Sequence, residues 1–228
     1  MSDRISIIVP VLNEAQSLPE TLARLAPLRA KGHEVIVVDG GSDDGTPVIA
    51  ALQADRVMAA AAGRGRQMNA GAAAAGGNVL LFLHADTRLP ADADTLILNS
   101  LTEGRHCWGR FDVRLSEHHP MLRLVAFMMN LRSRLTGIAT GDQAIFVRRK
   151  AFEAIGRFPE IALMEDIVLS RRLRAVSPPA CLRQRVLTSS RRWRKHGIVR
   201  TIVMMWILRF AFALGVPPAR LARIYGLR

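Results

Sequence analysis

Residues 35–46 read Val-Ile-Val-Val-Asp-Gly-Gly-Ser-Asp-Asp-Gly-Thr, so that an apolar run passes directly into a polar, glycine-rich segment. Four successive β-branched residues without alternation are typical of a strand that is covered on both faces of a parallel sheet. Apolar runs of the same kind occupy residues 5–9 and 79–83, and each also ends in a polar cluster. The three runs predict three buried strands with polar residues at their ends.

Three helical segments are expected, at residues 18–28, 46–53 and 68–75. The first two follow the first and second strands, and the last precedes the third strand. The first two strands begin 30 residues apart, about the length of one strand–helix–strand unit. Repetition of this unit predicts an α/β fold with a mostly parallel, doubly wound sheet that helices flank. Such sheets bind ligands at the carboxyl ends of their strands, where the polar clusters of this chain lie.

The second half of the chain is less regular. We expect two strands, at residues 111–115 and 144–147, and two helices, at residues 121–135 and 166–174. Ser177-Pro178-Pro179 predicts a turn that separates a main domain, residues 1–180, from a basic and apolar helical tail, residues 181–228.

Charge is distributed unevenly along the 228 residues. The net charge is +13, yet residues 1–100 carry 8 Lys and Arg against 11 Asp and Glu, and after Asp166 there are 14 basic and no acidic residues. This asymmetry predicts a polyanionic neighbour for the C-terminal part, namely anionic lipid, a phosphate-bearing substrate or nucleic acid. Nucleic acid is disfavoured, because Tyr225 is the single tyrosine and few aromatic residues accompany the arginines for base stacking.

Cysteine usage and the N-terminus bear on the compartment. Cys107 and Cys181 lie far apart and form no C-x-x-C motif, which predicts neither a disulfide framework nor a zinc site. Residues 1–4 lead straight into the first strand without the pattern of a signal peptide. We therefore expect a cytoplasmic protein.

An apolar stretch spans residues 198–216 and is interrupted by Arg200 and Arg209. It approaches the length of about 20 residues that a membrane-spanning helix needs, but an arginine near the centre of such a helix costs about 2.5–3.5 kcal/mol. Lying on a membrane surface is therefore more favourable than crossing the membrane. Packing on the protein's own domain and packing on a second subunit would also cover the apolar face of such a helix.

Five motifs along residues 4–175 together resemble family 2 glycosyltransferases of the GT-A fold, and they occur in the order of that family. They are Ile7-Ile8-Val9-Pro10-Val11-Leu12-Asn13-Glu14, Val37-Val38-Asp39-Gly40-Gly41-Ser42-Asp43-Asp44-Gly45-Thr46, Asn69-Ala70-Gly71, Phe82-Leu83-His84-Ala85-Asp86 and Met164-Glu165-Asp166. The resemblance implies a nucleotide-binding half, residues 1–100, and an acceptor half, residues 101–180.

The resemblance also implies which residues contact the nucleotide. Pro10, Asn13, Glu14 and Asp39 would surround the base and ribose, and a carboxylate such as Asp39 can accept the N3–H of uracil. Arg66, Asn69 and Ala85 would complete the nucleotide site. The alternatives are a turn cap for Asp39, an N-cap for Asn13, and a flexible loop with solvated arginines around Arg66.

His84-Ala85-Asp86 stands where the family carries its Asp-x-Asp motif. The resemblance implies that Asp86 ligates Mn²⁺ or Mg²⁺, which neutralises the diphosphate of the leaving group. His84 departs from the family pattern. It is either a further metal ligand, which would suit Mn²⁺ better than Mg²⁺, or a hydrogen-bonding partner of the ribose or sugar.

Glu165-Asp166 matches the family's general-base pair, which implies that Asp166 deprotonates the acceptor. The alternative for Asp166 is a carboxylate that the dipole of a helix start stabilises. Gly141, Asp142 and Gln143 are expected to line the donor or acceptor pocket, and their alternative is a turn with a solvated aspartate.

Arg192 is a further candidate for the diphosphate. It lies in Ser189-Ser190-Arg191-Arg192-Trp193, which is similar to the Gln-x-x-Arg-Trp box of processive synthases except that Ser189 replaces the glutamine. That departure argues against a processive synthase.

The sequence thus predicts an inverting, metal-assisted glycosyltransferase that uses a nucleoside diphosphate sugar, with UDP as the expected nucleotide and an unidentified hydroxyl or phosphate acceptor. Peripheral contact with the inner face of the plasma membrane, or a homodimer through residues 198–216, is expected of the tail. One alternative is a sugar-phosphate nucleotidyltransferase, which would need a glycine-rich basic loop where Pro10–Glu14 stands. Another is a non-catalytic scaffold that binds membranes or polyanions.

Overall fold

The computed structural model describes residues 3–101 and 105–226. Within this part of the chain, eight strands form one sheet and helices cover both of its faces. The strands are β1 (Ile5–Val11), β2 (Glu34–Asp39), β3 (Arg56–Ala59), β4 (Val79–Phe82), β5 (Thr87–Arg88), β6 (Trp108–Leu115), β7 (Phe146–Arg148) and β8 (Ala180–Thr188). The helices are α1 (Leu18–Ala30), α2 (Thr46–Gln53), α3 (Arg64–Ala74), α4 (Ala93–Ser100), α5 (Pro120–Thr136), α6 (Arg149–Ala154), α7 (Glu165–Val176), α8 (Arg191–His196), α9 (Ile198–Ala213) and α10 (Pro218–Tyr225), and a 3₁₀ turn spans Gly141–Gln143.

The sheet is mixed, with the strand order β3-β2-β1-β4-β7-β6-β8-β5. β1 to β4 run parallel to one another, whereas β7 is antiparallel to both β4 and β6, and β8 is parallel to β6. The predicted α/β fold with flanking helices is confirmed. Because β1, β2 and β4 share one direction, the polar residues that follow them meet at one edge of the sheet.

Successive residues of β1 alternate between two apolar layers. Ile7 and Val9 pack in the layer that contains the buried residues of α1 and α4, while Ile8 packs in the layer that contains those of α3. Gly71 allows α3 to approach the sheet closely, since a Cβ there would lie 2.5 Å from Cγ2 of Ile8. This packing fixes the start of α3, and with it Arg64, relative to the strand ends.

β8 corrects the predicted boundary of the helical tail. Residues 181–188, which the sequence analysis assigned to that tail, pair with β6 and belong to the sheet. The register between β6 and β8 shifts at Phe111 and Asp112, and residues 183–185 of β8 are exposed. These three residues, Arg-Gln-Arg, are polar, so the pattern of apolar residues does not indicate a strand here.

The C-terminal helices fold back onto the domain. Leu208 of α9 and Leu221 of α10 pack against Met164 and Ile167, which flank the start of α7. One face of α9 therefore packs on the protein's own domain, and its opposite face is exposed. Among the described helices, none is both long and apolar enough to cross a membrane.

Candidate active site

Three segments bring predicted site residues together at the carboxyl edge of the sheet. His84 and Asp86 follow β4, Asp142 lies in the 3₁₀ turn, and Glu165 and Asp166 begin α7. Asp86 interacts electrostatically with His84 and Asp142, and Glu165 with His84 and Asp166. Residues that are far apart in the sequence thus form one cluster.

His84 lies between the other members of this cluster. Its Nδ1 atom is 3.3 Å from Oδ1 of Asp142, and its side chain is 14% exposed. Its Nε2 atom faces Gly141, where an added Cβ would come within 2.5 Å, so that a larger residue has no room. Because both ring nitrogens face the 3₁₀ turn, the arrangement favours hydrogen bonding by His84 over direct metal ligation.

Two backbone donors fix the carboxylate of Asp166. Gly141 donates its N–H to Oδ2 at 3.1 Å, and Ile167 donates its N–H to Oδ1 at 2.8 Å. The bond from Ile167 and the position of Asp166 at the start of α7 fit its alternative role, that of a carboxylate stabilised by the helix dipole. A carboxylate has about four lone-pair positions, so this one retains acceptor capacity for a substrate hydroxyl.

Glu165 is buried, whereas Asp166, its neighbour in the chain, is partly exposed. Glu165 is 7% exposed. Burial and the negative charge of Asp166 raise the pKa of Glu165 to about 7, against the opposing charges of Arg64 and His84. The two adjacent carboxyl groups therefore have different environments.

Asp86 lies in a region of crowded negative charge. Burial, together with the charges of Asp142 and Glu14, raises the pKa of Asp86 above its ordinary value, although His84 and Arg191 oppose this. A divalent cation would relieve this repulsion, and Mg²⁺ sites commonly combine one or two carboxylates with phosphate oxygens.

The protein ligands for such a cation are few. Over residues 3–101 and 105–226, no group of three or more His, Cys, Asp and Glu could hold a metal ion.

Arginine side chains line the same part of the cluster. The pKa of Arg192 lies below its ordinary value, because partial burial and the positive charge of Arg64 outweigh the negative charges of Asp142 and Asp86. Burial also raises the pKa of Asp142, but the contact with His84 and the charges of Arg64 and Arg192 hold it below its ordinary value. Arg192 thus lies near Asp86 and Asp142, and Arg64 lies near Asp142 and Glu165.

Tyr225 supports Arg192 from the end of α10. The guanidinium carbon of Arg192 lies 4.6 Å from the centroid of the Tyr225 ring, a cation–π arrangement. The sequence analysis did not identify Tyr225 as a site residue, because nothing near it in the chain points to Arg192.

The loops that follow β1 and β2 are joined to each other. Asp39 is 6% exposed and accepts hydrogen bonds from the backbone N–H groups of Gly41 and Ser42 and from the Ser42 hydroxyl. Asn13, at a φ of 54°, accepts a hydrogen bond from the N–H of Asp43. Asp39 makes the contacts of the turn-cap alternative, and its contact with a nucleoside stays a prediction.

Three other predicted nucleotide-site residues have partners within the protein. Glu14 forms an ion pair of 3.0 Å with Arg191, which joins the β1–α1 loop to α8. Asn69 bonds through both atoms of its amide to the backbone of Phe158. Arg66 forms an ion pair with an exposed glutamate at 3.4 Å.

The remaining predicted residues lie in the body of the domain. Pro10 is within β1 and pairs with Val38 of β2, and the side chain of Ala85 is buried. Gln143 is fully buried, and its Oε1 atom accepts a hydrogen bond from the N–H of Thr140 at 3.2 Å. Gln143 therefore supports the 3₁₀ turn, and its place in the lining of the donor or acceptor pocket stays a prediction.

Arg132 and Arg209 were not among the predicted site residues, yet both lie close enough to Asp166 to interact with its charge. Arg132 comes from α5 and Arg209 from α9. The only sequence signal was that Arg209 interrupts an apolar stretch.

Comparisons with known proteins identify a family and related folds. A sequence model of the family described as "Glycosyl transferase family 2" matches residues 6–156. The undecaprenyl-phosphate 4-deoxy-4-formamido-L-arabinose transferase of Klebsiella pneumoniae is 28% identical over an alignment of 240 positions, gaps included, and the alignment covers 98% of this chain and 71% of that protein.

Solved structures share the fold at low sequence identity. S. aureus TarS (residues 1–349) in complex with UDP-GlcNAc is 18% identical with a TM-score of 0.65, over 82% of this chain and 58% of that chain. Glucosyl-3-phosphoglycerate synthase from Mycobacterium tuberculosis, in complex with Mn²⁺, UDP and glucosyl-3-phosphoglycerate, is 20% identical with a TM-score of 0.60, over 81% and 71%.

The mannosyltransferase PcManGT from Pyrobaculum calidifontis, in complex with GDP-Man and Mn²⁺, is 22% identical with a TM-score of 0.61. The match covers 82% of this chain and 57% of that chain. The chain thus spans somewhat more than half the length of the TarS and PcManGT structures.

Proposed function

Since the chain belongs to glycosyl transferase family 2, we propose that it is an inverting glycosyltransferase with a nucleoside diphosphate sugar, UDP-linked, as donor. The observation that carries this proposal is the convergence of Asp86, Asp142 and Asp166 at one edge of the sheet, beside Arg64 and Arg192. Carboxylates suit a metal ion and a general base, and guanidinium groups suit a diphosphate.

Asp166 acts as the general base in this proposal. The acceptor oxygen attacks the anomeric carbon of the sugar, and as this C–O bond forms, the bond from that carbon to the diphosphate oxygen breaks. Where the acceptor is a hydroxyl, its proton passes to Asp166, and the nucleoside diphosphate leaves. The two N–H bonds from Gly141 and Ile167 support this role, because they hold the carboxylate in one orientation.

Arg64 and Arg192 bind the diphosphate of the donor. Their positive charges lie next to Asp86 and Asp142, so that they oppose the negative charge that grows on the leaving group. Mn²⁺ or Mg²⁺ bound by Asp86 would supply further neutralisation of the same phosphates. His84 orients Asp142 and contacts the ribose or the sugar.

We also propose that the protein acts in the cytoplasm, on the inner face of the plasma membrane. Exposed apolar side chains cover the outward faces of two helices, at positions 124, 127, 128, 131 and 135 of α5 and at positions 199, 203, 206, 207 and 210 of α9. A cavity of about 740 Å³ beside α5 is lined by five arginines, at positions 114, 123, 134, 183 and 185. Apolar and basic side chains together are typical of helices that lie on anionic membranes.

Vesicle flotation tests this membrane contact. The full chain should float with phosphatidylglycerol vesicles and remain unbound with phosphatidylcholine vesicles, and a Trp206→Ser/Phe210→Ser variant should lose binding. If the variant instead converts a dimer into a monomer in light scattering, and vesicles do not bind, then α9 is a subunit interface.

Thermal unfolding with nucleotides tests the proposed enzyme function. UDP together with Mn²⁺ should raise the melting temperature. Once the nucleotide concentration exceeds the dissociation constant, the rise should grow with the logarithm of that concentration. A scaffold without a nucleotide site would show no such shift with UDP, GDP or their sugars.

A further inference from the structure

Arg132 presents hydrogen-bond donors that have no partner. Its Nε atom and one of its terminal nitrogens are buried, and neither has a hydrogen-bond partner among the described residues. Buried polar groups in folded proteins are nearly always satisfied, and an unsatisfied one calls for a ligand, an ion or water. Arg132 therefore has unused binding capacity inside the protein.

A second guanidinium group lies close to the first. The charge of Arg209 acts on Arg132, and the packing of Leu208 against Met164 and Ile167 holds this part of α9 next to the start of α7. Like charges brought together in a partly buried place repel each other. An anion between or beside them would remove this repulsion.

No carboxylate neutralises the pair within the described part of the chain. Asp166 is the acidic residue that interacts with both arginines, and Asp142 acts on Arg209 as well, but the oxygens of Asp166 accept hydrogen bonds from Gly141 and Ile167. Neither arginine forms an ion pair there. A water molecule could accept from one of the free donors, but it would leave both charges unbalanced.

The pair is distinct from the arginines assigned to the donor but adjoins them. Arg192 interacts with Arg64, Asp142 and Asp86, whereas the charged neighbours of Arg132 are Arg209, Asp166 and Arg110. Asp142 acts on Arg209 as well as on Arg192, so the two arginine pairs are neighbours. One arginine pair thus adjoins the proposed metal residue, and the other adjoins the proposed base.

We propose that Arg132 and Arg209 form a subsite that binds a phosphoryl group of the acceptor, directly beside Asp166. The inference rests on the proposed function, which it deepens by giving the acceptor a chemical class. Guanidinium groups match the oxygens of a phosphoryl group with paired donors, and two of them balance its two negative charges. The acceptor is therefore a phosphate monoester of one of two kinds. In the monoester of a lipid alcohol, a phosphate oxygen itself attacks the anomeric carbon, and no proton passes to Asp166. In a small soluble monoester that also carries a hydroxyl, the hydroxyl oxygen attacks and its proton passes to Asp166.

Calorimetric titration of the full chain tests this subsite with three probes: inorganic phosphate, glycerol 3-phosphate and farnesyl phosphate. Each is titrated with and without UDP and Mn²⁺, which separates this subsite from the donor site. We expect saturable binding of at least one probe that UDP does not compete away. Arg132→Met and Arg209→Gln should each weaken it by about 10- to 100-fold.

Arg200→Gln is the matched control, because Arg200 lies on α9 as well but is exposed. This variant should bind the probe like the wild type. Arg132→Met has a second readout that is independent of any probe. Because it removes a buried charge without a partner, it should raise the melting temperature of the ligand-free protein.

The probes also distinguish the two sources of the phosphoryl group. Binding of farnesyl phosphate at least tenfold tighter than glycerol 3-phosphate indicates a lipid acceptor, whereas similar affinities indicate a soluble one. The proposal is overturned if no probe binds the wild type saturably, or if both arginine variants retain wild-type affinity. If UDP fails to bind while the phosphate probes do, the proposed donor chemistry is wrong and the anion subsite stands.

Discussion

The backbone N–H of Gly141 donates to the carboxylate of Asp166 across 3.1 Å, and the same glycine abuts the ring of His84. One residue without a side chain thus connects the segment after β4 to the start of α7. The glycine is required by space, because a Cβ at this position would lie 2.5 Å from Nε2 of His84.

Gly141→Ala should therefore lower transfer activity by at least tenfold while the protein stays folded. The added methyl group displaces His84 or the 3₁₀ turn, and either movement misplaces Asp166 relative to the acceptor. Steady-state donor turnover measures the loss. Gly76→Ala is the control, since a Cβ there meets ordinary contacts of 3.4 Å or more, and an equal loss in both variants would refute the explanation.

Metal removal tests the role of Asp86. EDTA should abolish transfer, and Mn²⁺ or Mg²⁺ in excess should restore it, because a cation would neutralise the crowded carboxylates and the departing diphosphate. Asp86→Asn should not be rescued by either metal. Undiminished turnover in EDTA would exclude Asp86 as an essential metal ligand.

Glu165 should make the folded state less stable as the pH rises. Below about pH 4.5 its carboxyl group is protonated in both the folded and the unfolded chain, and between 4.5 and 7 only the folded chain retains the proton. The free energy of unfolding should thus fall through this window, by up to about 3 kcal/mol. Urea denaturation of the wild type and of Glu165→Gln measures the difference, and parallel pH profiles would contradict the raised pKa.

Tyr225 should affect donor binding although it lies in the last described helix. Tyr225→Leu removes the ring that lies 4.6 Å from the Arg192 guanidinium and should raise the KM for the donor by about 3- to 30-fold. Tyr225→Phe keeps the ring and should behave like the wild type. A rise of equal size in the phenylalanine variant would mean that the hydroxyl, not the ring face, matters.

Three strands of the first half of the chain, and the shared edge at which their polar residues lie, could be predicted from the sequence. β1, β2 and β4 are uninterrupted apolar runs that end in polar residues, so each has a local signal. β8 has no such signal, because its middle residues, Arg183 to Arg185, are exposed and charged or polar.

The arginines of the site could not be predicted for a different reason. Arg132 and Arg209 reach Asp166 because α9 packs against the start of α7, and no spacing in the sequence encodes that contact. The burial of Gln143 could not be predicted either, because its place beside Asp142 in the chain says nothing about the direction of its side chain.

Donor consumption by the wild type and by Asp166→Asn tests the central claim most directly. A panel of UDP- and GDP-sugars is incubated with Mn²⁺ and with phosphorylated acceptors, and release of nucleoside diphosphate is followed. The control is Asp92→Asn, an exposed carboxylate at the start of α4 without a capping hydrogen bond. We predict that one donor is consumed by the wild type and the control, and that Asp166→Asn binds it equally well but turns over about 10²- to 10⁴-fold more slowly. Turnover by Asp166→Asn at the wild-type rate, or no release from any nucleotide sugar by the wild type, would contradict the account.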